Sequence, residues 1–393
     1  MLVVKRSFLA FGAAVFLVGG VLGCAGSPVN EAPFEEAAIR KEARREAGAE
    51  AYQRYCALCH GRDAKGYAAD NAPSLVSSTF LETASNDFLA KAIREGRPGT
   101  AMSGYSKGRG GPLDDDAIDA IITHLRDRNP APLPLPGAPV LGDAARGEAV
   151  FEASCKGCHG TRTVRGNAVQ LTNATLLGTA SDAFLRHAVV HGRPGTPMPA
   201  FGGVLTESDI DDVVTAMRSW ATPAAAARQG LPEPPRGPAV INPQGKHPDF
   251  TLRAGLYVPI DDVKRALDEK QRIVIIDARA VPDWYSSHIP GSISVPYYLF
   301  DRLDDLPRDG TWITAYCACP HHASGTVVAE LRKRGFTKTA ILDEGVLVWK
   351  QRGYPLETEP SPVPDAPFPR LDLPSPRPTL NRPLLARPPF GPR

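Results

Sequence analysis

Apolar residues in the first part of the chain recur at the spacing of an α-helix. Along residues 114–126 and 206–220 they stand three and four positions apart, which places them on one face of an amphipathic helix. The second of these helices opens with Thr206-x-x-Asp209, a variant of the capping box. A further helix is predicted over 43–55. This part of the chain is therefore predicted to be all-α.

Beyond residue 250 the pattern changes to short apolar runs that alternate with a helical pattern. The runs lie at 272–277, 311–317 and 339–342, and each has the length of a buried strand. A helix is predicted between the second and third runs, over 323–335. Strands that alternate with helices predict a parallel sheet with helices on both sides, so this part is predicted to be α/β.

The N-terminus carries the pattern of a targeting signal. Lys5 and Arg6 precede an apolar run over 8–22, which is shorter than the ~20 residues of a spanning helix and typical of a signal peptide. The run ends in small residues before Cys24 and resembles the lipobox of bacterial lipoproteins. The resemblance implies cleavage after residues 1–23 and a lipid anchor on Cys24, on the periplasmic side of the envelope. The alternative is an ordinary signal peptide with an incidental cysteine.

Composition narrows the classes of function. The chain has 393 residues, and 45 basic against 43 acidic side chains give a net charge of +2. These charges are mixed along the chain, which argues against nucleic acid as a partner. The 39 prolines and 36 glycines predict long connectors. We place linkers at 129–140 and 223–249 and a proline-rich tail at 359–393.

The cysteines give the strongest chemical signal. Residues 56–60 and 155–159 both read C-x-x-C-H, the attachment motif of c-type haem. Two thiols one helical turn apart can add to the two vinyl groups of one haem, and the adjacent histidine can ligate its iron. The alternatives are a thioredoxin-like redox pair, half of a zinc site, or chance. A redox pair belongs beside a βαβ pattern, which neither motif has, and zinc would need further thiol or histidine ligands at regular spacing. The predicted haem-binding residues are Cys56, Cys59, His60, Cys155, Cys158 and His159.

The two motifs belong to an internal repeat that also contains methionine. The segment that ends at Met102 recurs 96 residues later as the segment that ends at Met198, and the chain has 4 methionines in all. The matched loops predict that both methionines are axial iron ligands, with His187 and His191 as alternatives to Met198. The alternative role for both methionines is ordinary packing. Iron with two axial ligands has no open position, which favours electron transfer. The sequence thus predicts two covalently bound haem c groups and redox proteins as partners.

The order of helix, C-x-x-C-H, methionine loop and terminal helix resembles the class I cytochromes c. The resemblance covers 43–128 and 141–222, so we expect two all-α cytochrome c domains. It implies that the carbonyl of Pro73 accepts a hydrogen bond from the first haem histidine. The second repeat has Val169 at the aligned position.

The last part resembles a rhodanese domain over 250–358. The matching segments are Ile276–Arg279, His288–Ser292, Tyr316–Cys317 and Leu342–Gly345, followed by Trp349. The resemblance implies that Cys317 is a nucleophile that forms a persulfide from a sulfane-sulfur donor such as thiosulfate or polysulfide. Its thiolate is expected to be stabilised by loop N–H groups and by a helix N-terminus.

The loop after Cys317 departs from the rhodanese pattern. His322 stands where many active members have arginine, and histidine largely loses its charge near neutral pH. Cys319 is predicted to resolve a persulfide or to form a redox couple, and two cysteines with His321 and His322 suggest a metal site as an alternative. A further alternative is an inactive module attached to a pure electron carrier. Asp277 and Arg279 are interpreted as structural.

Overall fold

The structure is a computed structural model that describes residues 32–128, 132–221, 231–318 and 321–359, with side chains from residue 36 onward. The predicted signal peptide with Cys24, the second loop thiol Cys319 and nearly all of the proline-rich tail lie outside the described residues. The chain divides into two compact units, residues 1–43 and 44–393. No helix among the described residues is long and apolar enough to cross a bilayer.

The first helical domain is built around the first C-x-x-C-H motif. A long helix runs into the motif, the motif forms a short turn of helix, and a terminal helix closes the domain. Its elements are α1 Ala32–Tyr55, α2 Ala57–His60, α3 Ser78–Leu81, α4 Asn86–Glu95 and α5 Asp115–Arg126, with a 3₁₀ turn at Lys107–Arg109.

The second helical domain repeats this order around the second motif. The predicted capping box is confirmed, because Thr206 and Asp209 exchange side-chain and backbone hydrogen bonds at the start of its terminal helix. The elements are α6 Ala144–Ser154, α7 Lys156–His159, α8 Ala174–Thr179, α9 Asp182–His191 and α10 Glu207–Ser219.

A glycine sets the closest helix crossing in each helical domain. A Cβ added at Gly48 on α1 would lie 1.9 Å from the carbonyl oxygen of Ala120 on α5. A Cβ added at Gly147 on α6 would lie 2.0 Å from the carbonyl oxygen of Asp212 on α10. Any larger residue would therefore force the two helices apart.

The two helical domains share a hydrophobic core. Phe88 of the first packs on Phe184 of the second with ring centroids 4.9 Å apart. The interface also has polar contacts: Arg165 donates from Nη1 to both carboxylate oxygens of Asp70 at 3.0 Å, and Asn173 donates to the carbonyl of Pro98 at 2.9 Å. The shared core and these contacts thus hold the two motifs in one helical region.

The α/β domain contains a twisted, mostly parallel sheet. Strands lie in the order β1-β3-β5-β6-β2, and β4 pairs with the end of β3. The strands are β1 Val240–Ile241, β2 Tyr257–Val258, β3 Ile273–Asp277, β4 Ile293–Ser294, β5 Trp312–Tyr316 and β6 Thr339–Leu342. The helices are α11 Ile260–Asp268, α12 Val281–Ser286, α13 His322–Lys333 and α14 Gly345–Gln351, with a 3₁₀ turn at Asp301–Asp305.

The sheet differs from the prediction at one edge. Strand β1 lies within the predicted linker 223–249 and pairs antiparallel with β3, with Val240 opposite Val274. The sheet is therefore mixed rather than wholly parallel. Two residues carry too little periodicity to reveal a strand, and this strand forms because the edge of β3 offers unpaired backbone groups.

Candidate functional sites

The two C-x-x-C-H motifs form the same turn of helix. In the first, the N–H groups of Cys59 and His60 donate to the carbonyl of Cys56 at 3.2 and 3.0 Å. The equivalent bonds in the second motif join Cys158 and His159 to Cys155, also at 3.2 and 3.0 Å. Each motif therefore presents two thiols from one helical turn.

Each haem histidine is oriented by a backbone carbonyl. His60 Nδ1 lies 2.9 Å from the oxygen of Pro73, which confirms the predicted contact. His159 Nδ1 lies 2.7 Å from the oxygen of Val169. When Nδ1–H donates to a carbonyl, Nε2 is the nitrogen that can ligate a metal. A carbonyl does this equally well in proline and valine, so the lack of proline in the second repeat does not matter.

The methionine loops are also built alike. Arg97 N–H donates to the carbonyl of Met102 at 2.7 Å, and Met102 N–H donates to Thr100 Oγ1 at 3.1 Å. In the second loop the equivalent bonds measure 3.0 and 3.2 Å and join Arg193 and Thr196 to Met198. Ligation of iron by the two sulfurs remains a prediction.

The alternative histidine ligands make other contacts. His187 Nε2 lies 3.4 Å from Oε1 of Glu82 in the first helical domain. Its ring packs on the ring of His191, with centroids 4.2 Å apart. The contact of His187 with Glu82 therefore joins the two helical domains.

Two arginines fit the acidic groups of a haem. Burial lowers the pKa of both Arg97 and Arg193 to about 10. Among the described residues, neither guanidinium has a carboxylate within ion-pair distance; Arg97 reaches the carbonyl of Gly96 and Arg193 that of Thr79. Glu95 acts electrostatically on Arg97 and Glu82 on Arg193, and the carboxylates of a haem would supply closer partners for these half-buried cations. The residues of each repeat thus fit a covalently held haem.

The motifs differ in their exposure. Only 7% of the surface of His60 is exposed to solvent, whereas Cys158 of the second motif is exposed. Burial raises the pKa of the Cys56 thiol to about 12 and that of the Cys155 thiol to about 11. The first motif therefore lies deeper in the protein than the second.

The candidate sulfur site lies between β5 and α13. Cys317 directly follows β5, and its Sγ lies 3.4 Å from Oγ of Ser324 on α13. The Cys317 carbonyl accepts from the N–H of Val346 at 3.0 Å, and a Cβ added at the neighbouring Gly345 would lie 2.6 Å from it. Only 1% of the Cys317 surface is exposed, so the thiol is covered in this conformation.

The loop histidine that precedes α13 is held by its neighbours. His321 has a φ of 74°, a strained conformation for a residue other than glycine. Its Nε2 lies 2.7 Å from Oδ1 of Asp343, and its ring packs on Tyr257 at 4.2 Å. Within the described ranges, no three His, Cys, Asp or Glu side chains gather as a metal site. The metal alternative depends on Cys319, which lies outside those ranges.

Asp277 and Arg279 form a buried structural pair. Arg279 Nη2 donates to Oδ2 of Asp277 at 2.5 Å and to the carbonyl of Ser287 at 2.6 Å. The hydroxyl of Tyr316 also donates to Asp277 at 2.8 Å. These bonds tie β3, β5 and the chain after α12 together, as the sequence interpretation expects.

Comparison with known proteins assigns both parts of the chain. The family "Cytochrome C oxidase, cbb3-type, subunit III" matches residues 43–125 and 142–215, and "Rhodanese-like domain" matches residues 260–352. The Cbb3-type cytochrome c oxidase subunit FixP of Bradyrhizobium diazoefficiens is 31% identical over 179 residues, which are 42% of this chain and 57% of FixP. Cytochrome c55X of Stutzerimonas stutzeri is 38% identical over 79 residues, which are 20% of this chain and 69% of that protein.

A third relative matches at lower identity. The probable adenylyltransferase/sulfurtransferase MoeZ of Mycobacterium tuberculosis is 24% identical over 273 residues, which are 67% of this chain and 60% of MoeZ. Together with the fold, these matches define a multidomain protein in which a helical cytochrome c region precedes a rhodanese-like α/β domain.

The chain belongs to the c-type cytochromes, with domains of the cbb3 type, and its last domain is rhodanese-like and related to sulfurtransferases. Its cytochrome c domains imply covalently bound haem c. The chain spans a little over half of the length of FixP, 57%.

Proposed function

We propose that this protein is a dihaem electron carrier whose rhodanese-like domain handles sulfane sulfur. The observation that carries the proposal is the duplication of one complete site. Both motifs present two thiols and an imidazole whose Nδ1 is held by a backbone carbonyl, at 2.9 Å and 2.7 Å. We further propose that Cys24 anchors the protein by lipid on the periplasmic side of the envelope.

The residues of each helical domain divide the work of holding a haem. The two thiols of each motif would attach the haem, and the histidine and the repeated methionine would ligate its iron. Arg97 or Arg193 would pair with a carboxylate of the haem. When bound, each haem supplies a one-electron redox centre. Apolar residues of the core that the two helical domains share pack beside both sites.

The sulfur step uses Cys317. Its thiolate attacks the outer sulfur of thiosulfate, a new S–S bond forms at Cys317, and the S–S bond of thiosulfate breaks as sulfite leaves with the electron pair. Cyanide then removes the outer sulfur as thiocyanate and regenerates the thiolate. Ser324 Oγ lies 3.4 Å from the sulfur, within hydrogen-bond distance.

Haem stoichiometry and sulfur transfer test the two halves of the proposal. We expect two covalent haems per chain by mass spectrometry of the denatured protein. We also expect thiocyanate formation from thiosulfate and cyanide that disappears in Cys317→Ser. Two haems without Cys317-dependent thiocyanate would remove the sulfur role and leave the electron carrier.

A second candidate function is a pure electron carrier with a non-catalytic rhodanese-like module. The burial of Cys317, at 1% exposure, and the histidine at position 322 favour it. It predicts full haem content and no thiocyanate at any pH at which the protein is folded.

The anchor has its own test. We expect the wild-type protein in the membrane fraction, with acyl chains detected on the N-terminal peptide that begins at Cys24. Cys24→Ser should release the protein into the soluble periplasmic fraction. An unacylated wild-type N-terminus would overturn the anchor and leave the haem proposal intact.

A further inference from the structure

The rhodanese-like domain covers one face of the first helical domain. Leu58, inside the first C-x-x-C-H motif, packs against the hydrophobic cluster that contains Cys317. Ala101, beside Met102, packs against the same cluster and against the one that contains Ala318. Helix α2 also contacts α13, the helix that follows the Cys317 loop. The haem-attachment turn and the methionine loop of the first domain thus both meet the domain that holds the candidate sulfur site.

Polar contacts fix this interface. The hydroxyl of Tyr297 donates to the carbonyl of Tyr55 at 2.6 Å and lies 2.9 Å from the hydroxyl of Tyr105. The hydroxyl of Ser103 donates to the carboxylate of Asp283. Tyr55 precedes the attachment turn and Tyr105 follows the methionine loop, so these bonds hold both segments against the rhodanese-like domain.

A charged contact brings the start of α13 to the two helical domains. His322, the first residue of α13, acts electrostatically on Asp70 of the first helical domain. Asp70 accepts hydrogen bonds on both carboxylate oxygens from Arg165 of the second helical domain. Histidine largely loses its charge near neutral pH, and here a carboxylate lies near it. An anionic donor at Cys317 therefore meets a weaker positive charge than an arginine at position 322 would supply.

A stacked row of side chains joins the two haem sites. The guanidinium of Arg97 lies over the ring of Phe88, 5.5 Å from its centroid, and that of Arg193 lies over the ring of Phe184 at 5.0 Å. The two rings pack on each other with centroids 4.9 Å apart. Arg97 and Arg193 are the residues that fit haem carboxylates, so an electron that enters the first site has a continuous packed path to the second.

The surroundings of Cys317 favour a small sulfur donor of low charge. Only 1% of the Cys317 surface is exposed, and the charge at position 322 is weaker than that of arginine. Hydrosulfide, HS⁻, is a monoanion with a single heavy atom and suits both conditions better than the larger thiosulfate dianion. Unlike thiosulfate, hydrosulfide contains no sulfane sulfur, so its conversion to a persulfide must release two electrons.

We propose that Cys317 and the two haems together oxidise hydrosulfide to a protein-bound persulfide. This rests on the proposed function, because it needs both the chemistry of Cys317 and two haems. A new S–S bond joins the Cys317 thiolate to hydrosulfide, whose S–H bond breaks and whose proton goes to solvent. The two electrons released reduce two ferric haems to the ferrous state, entering at the first site and passing to the second. Cyanide or another nucleophile then takes the outer sulfur and restores the thiolate.

Anaerobic addition of hydrosulfide to the fully oxidised full-length protein tests the reaction. We expect two haems reduced for each persulfide, followed by absorbance, and one added sulfur atom on the Cys317 peptide, followed by mass spectrometry. Cys317→Ser should lose both the added sulfur and the fast phase of haem reduction. Reduction by ascorbate should be the same in both proteins. Equal rates of haem reduction by hydrosulfide in the two proteins would overturn the proposal.

The route of the electrons is tested at the covered face. Leu58→Lys places a charge in this face, so we expect it to slow the Cys317-dependent phase and to raise hydrogen exchange in α13, a readout that needs no haem. Leu141→Lys is the control, because Leu141 is 85% exposed and precedes α6 at the end opposite to Cys155. Unchanged exchange in α13 would overturn the interface. Raised exchange with a wild-type rate would show that electrons do not enter through this face.

Haem content is measured for every variant. If Leu58→Lys attaches only one haem, Tyr297→Phe gives the same test from the rhodanese-like side, because it removes two bonds of the interface and leaves the motif intact.

Thiocyanate formation from thiosulfate and cyanide separates this inference from the proposed function. If thiocyanate forms but hydrosulfide leaves Cys317 unmodified, the inference fails and the proposed function stands. One haem per wild-type chain defeats the proposed dihaem carrier, whatever the result with hydrosulfide.

Discussion

The two helical domains are repeats of one design placed in different surroundings. Both crossings need glycine, both haem histidines bond to a carbonyl, and both methionine loops share the same turn. Yet Leu58 of the first motif packs against the rhodanese-like domain, and its equivalent in the second motif, Gly157, is exposed. A duplicated site can thus keep its chemistry while its access to other proteins changes, because access depends on what packs outside it.

The largest expected effect comes from removing the attachment thiols of one domain at a time. Cys56→Ala with Cys59→Ala, and Cys155→Ala with Cys158→Ala, should each lower the haem content from two to one, measured by mass. If only the second domain is accessible to other proteins, loss of the second haem abolishes reaction with an external redox protein and loss of the first does not. Equal losses of that reaction would contradict the difference.

The next effect tests the shared design. Gly48→Ala and Gly147→Ala should each destabilise the protein by about 3 kcal/mol, at the upper end of overpacking, because the added methyl meets backbone rather than a movable side chain. Denaturant unfolding measures the change. Gly178→Ala on α8 is the control: its added Cβ meets nothing within 4 Å, so it should be neutral or slightly stabilising.

A smaller effect tests the interface that only the first domain has. Tyr297→Phe removes the bonds to Tyr55 and Tyr105, and each such bond contributes about 1 kcal/mol. We expect a loss of about 1–2 kcal/mol in the free energy of unfolding. Tyr67→Phe serves as the control, because Tyr67 is 42% exposed. Equal stability of the two variants would show that the interface bonds contribute nothing.

The smallest effect is a pH dependence at the same interface. Burial raises the pKa of Asp283 above 3.8, although Arg279 and the Ser103 hydroxyl oppose the shift. The folded state therefore holds this proton at pH values where the unfolded chain has released it. This group's contribution to stability is full below pH 3.8 and is lost as pH rises to the folded pKa.

The slope from Asp283 is at most about 1.4 kcal/mol per pH unit. Asp283→Asn should remove this slope. The measurement is the free energy of unfolding at a series of pH values between about 3.5 and 7, a range that begins near the ordinary pKa of a carboxyl group. A steeper rather than flatter fall in Asp283→Asn would contradict the assignment.

Much of this protein could be predicted from local pattern. The motif at 56–60 and its repeat at 155–159, the helix spacing and the Pro73 contact depend on short stretches of chain, and the structure bears out the helices and that contact. The antiparallel strand β1 could not be predicted, because two residues at 240–241 have no pattern of their own and pair only where β3 offers an edge.

The sequence by itself determined the duplicated residue pattern, since thiols, imidazole and methionine recur at fixed spacing and each local turn follows from its own residues. The tertiary structure alone decided which repeat is covered. Leu58 and Gly157 hold equivalent positions, yet one is packed and the other exposed, because burial depends on residues such as Tyr297 that are distant in sequence. Contacts between residues so distant in sequence produce no periodic pattern along the chain, so only the folded protein shows them.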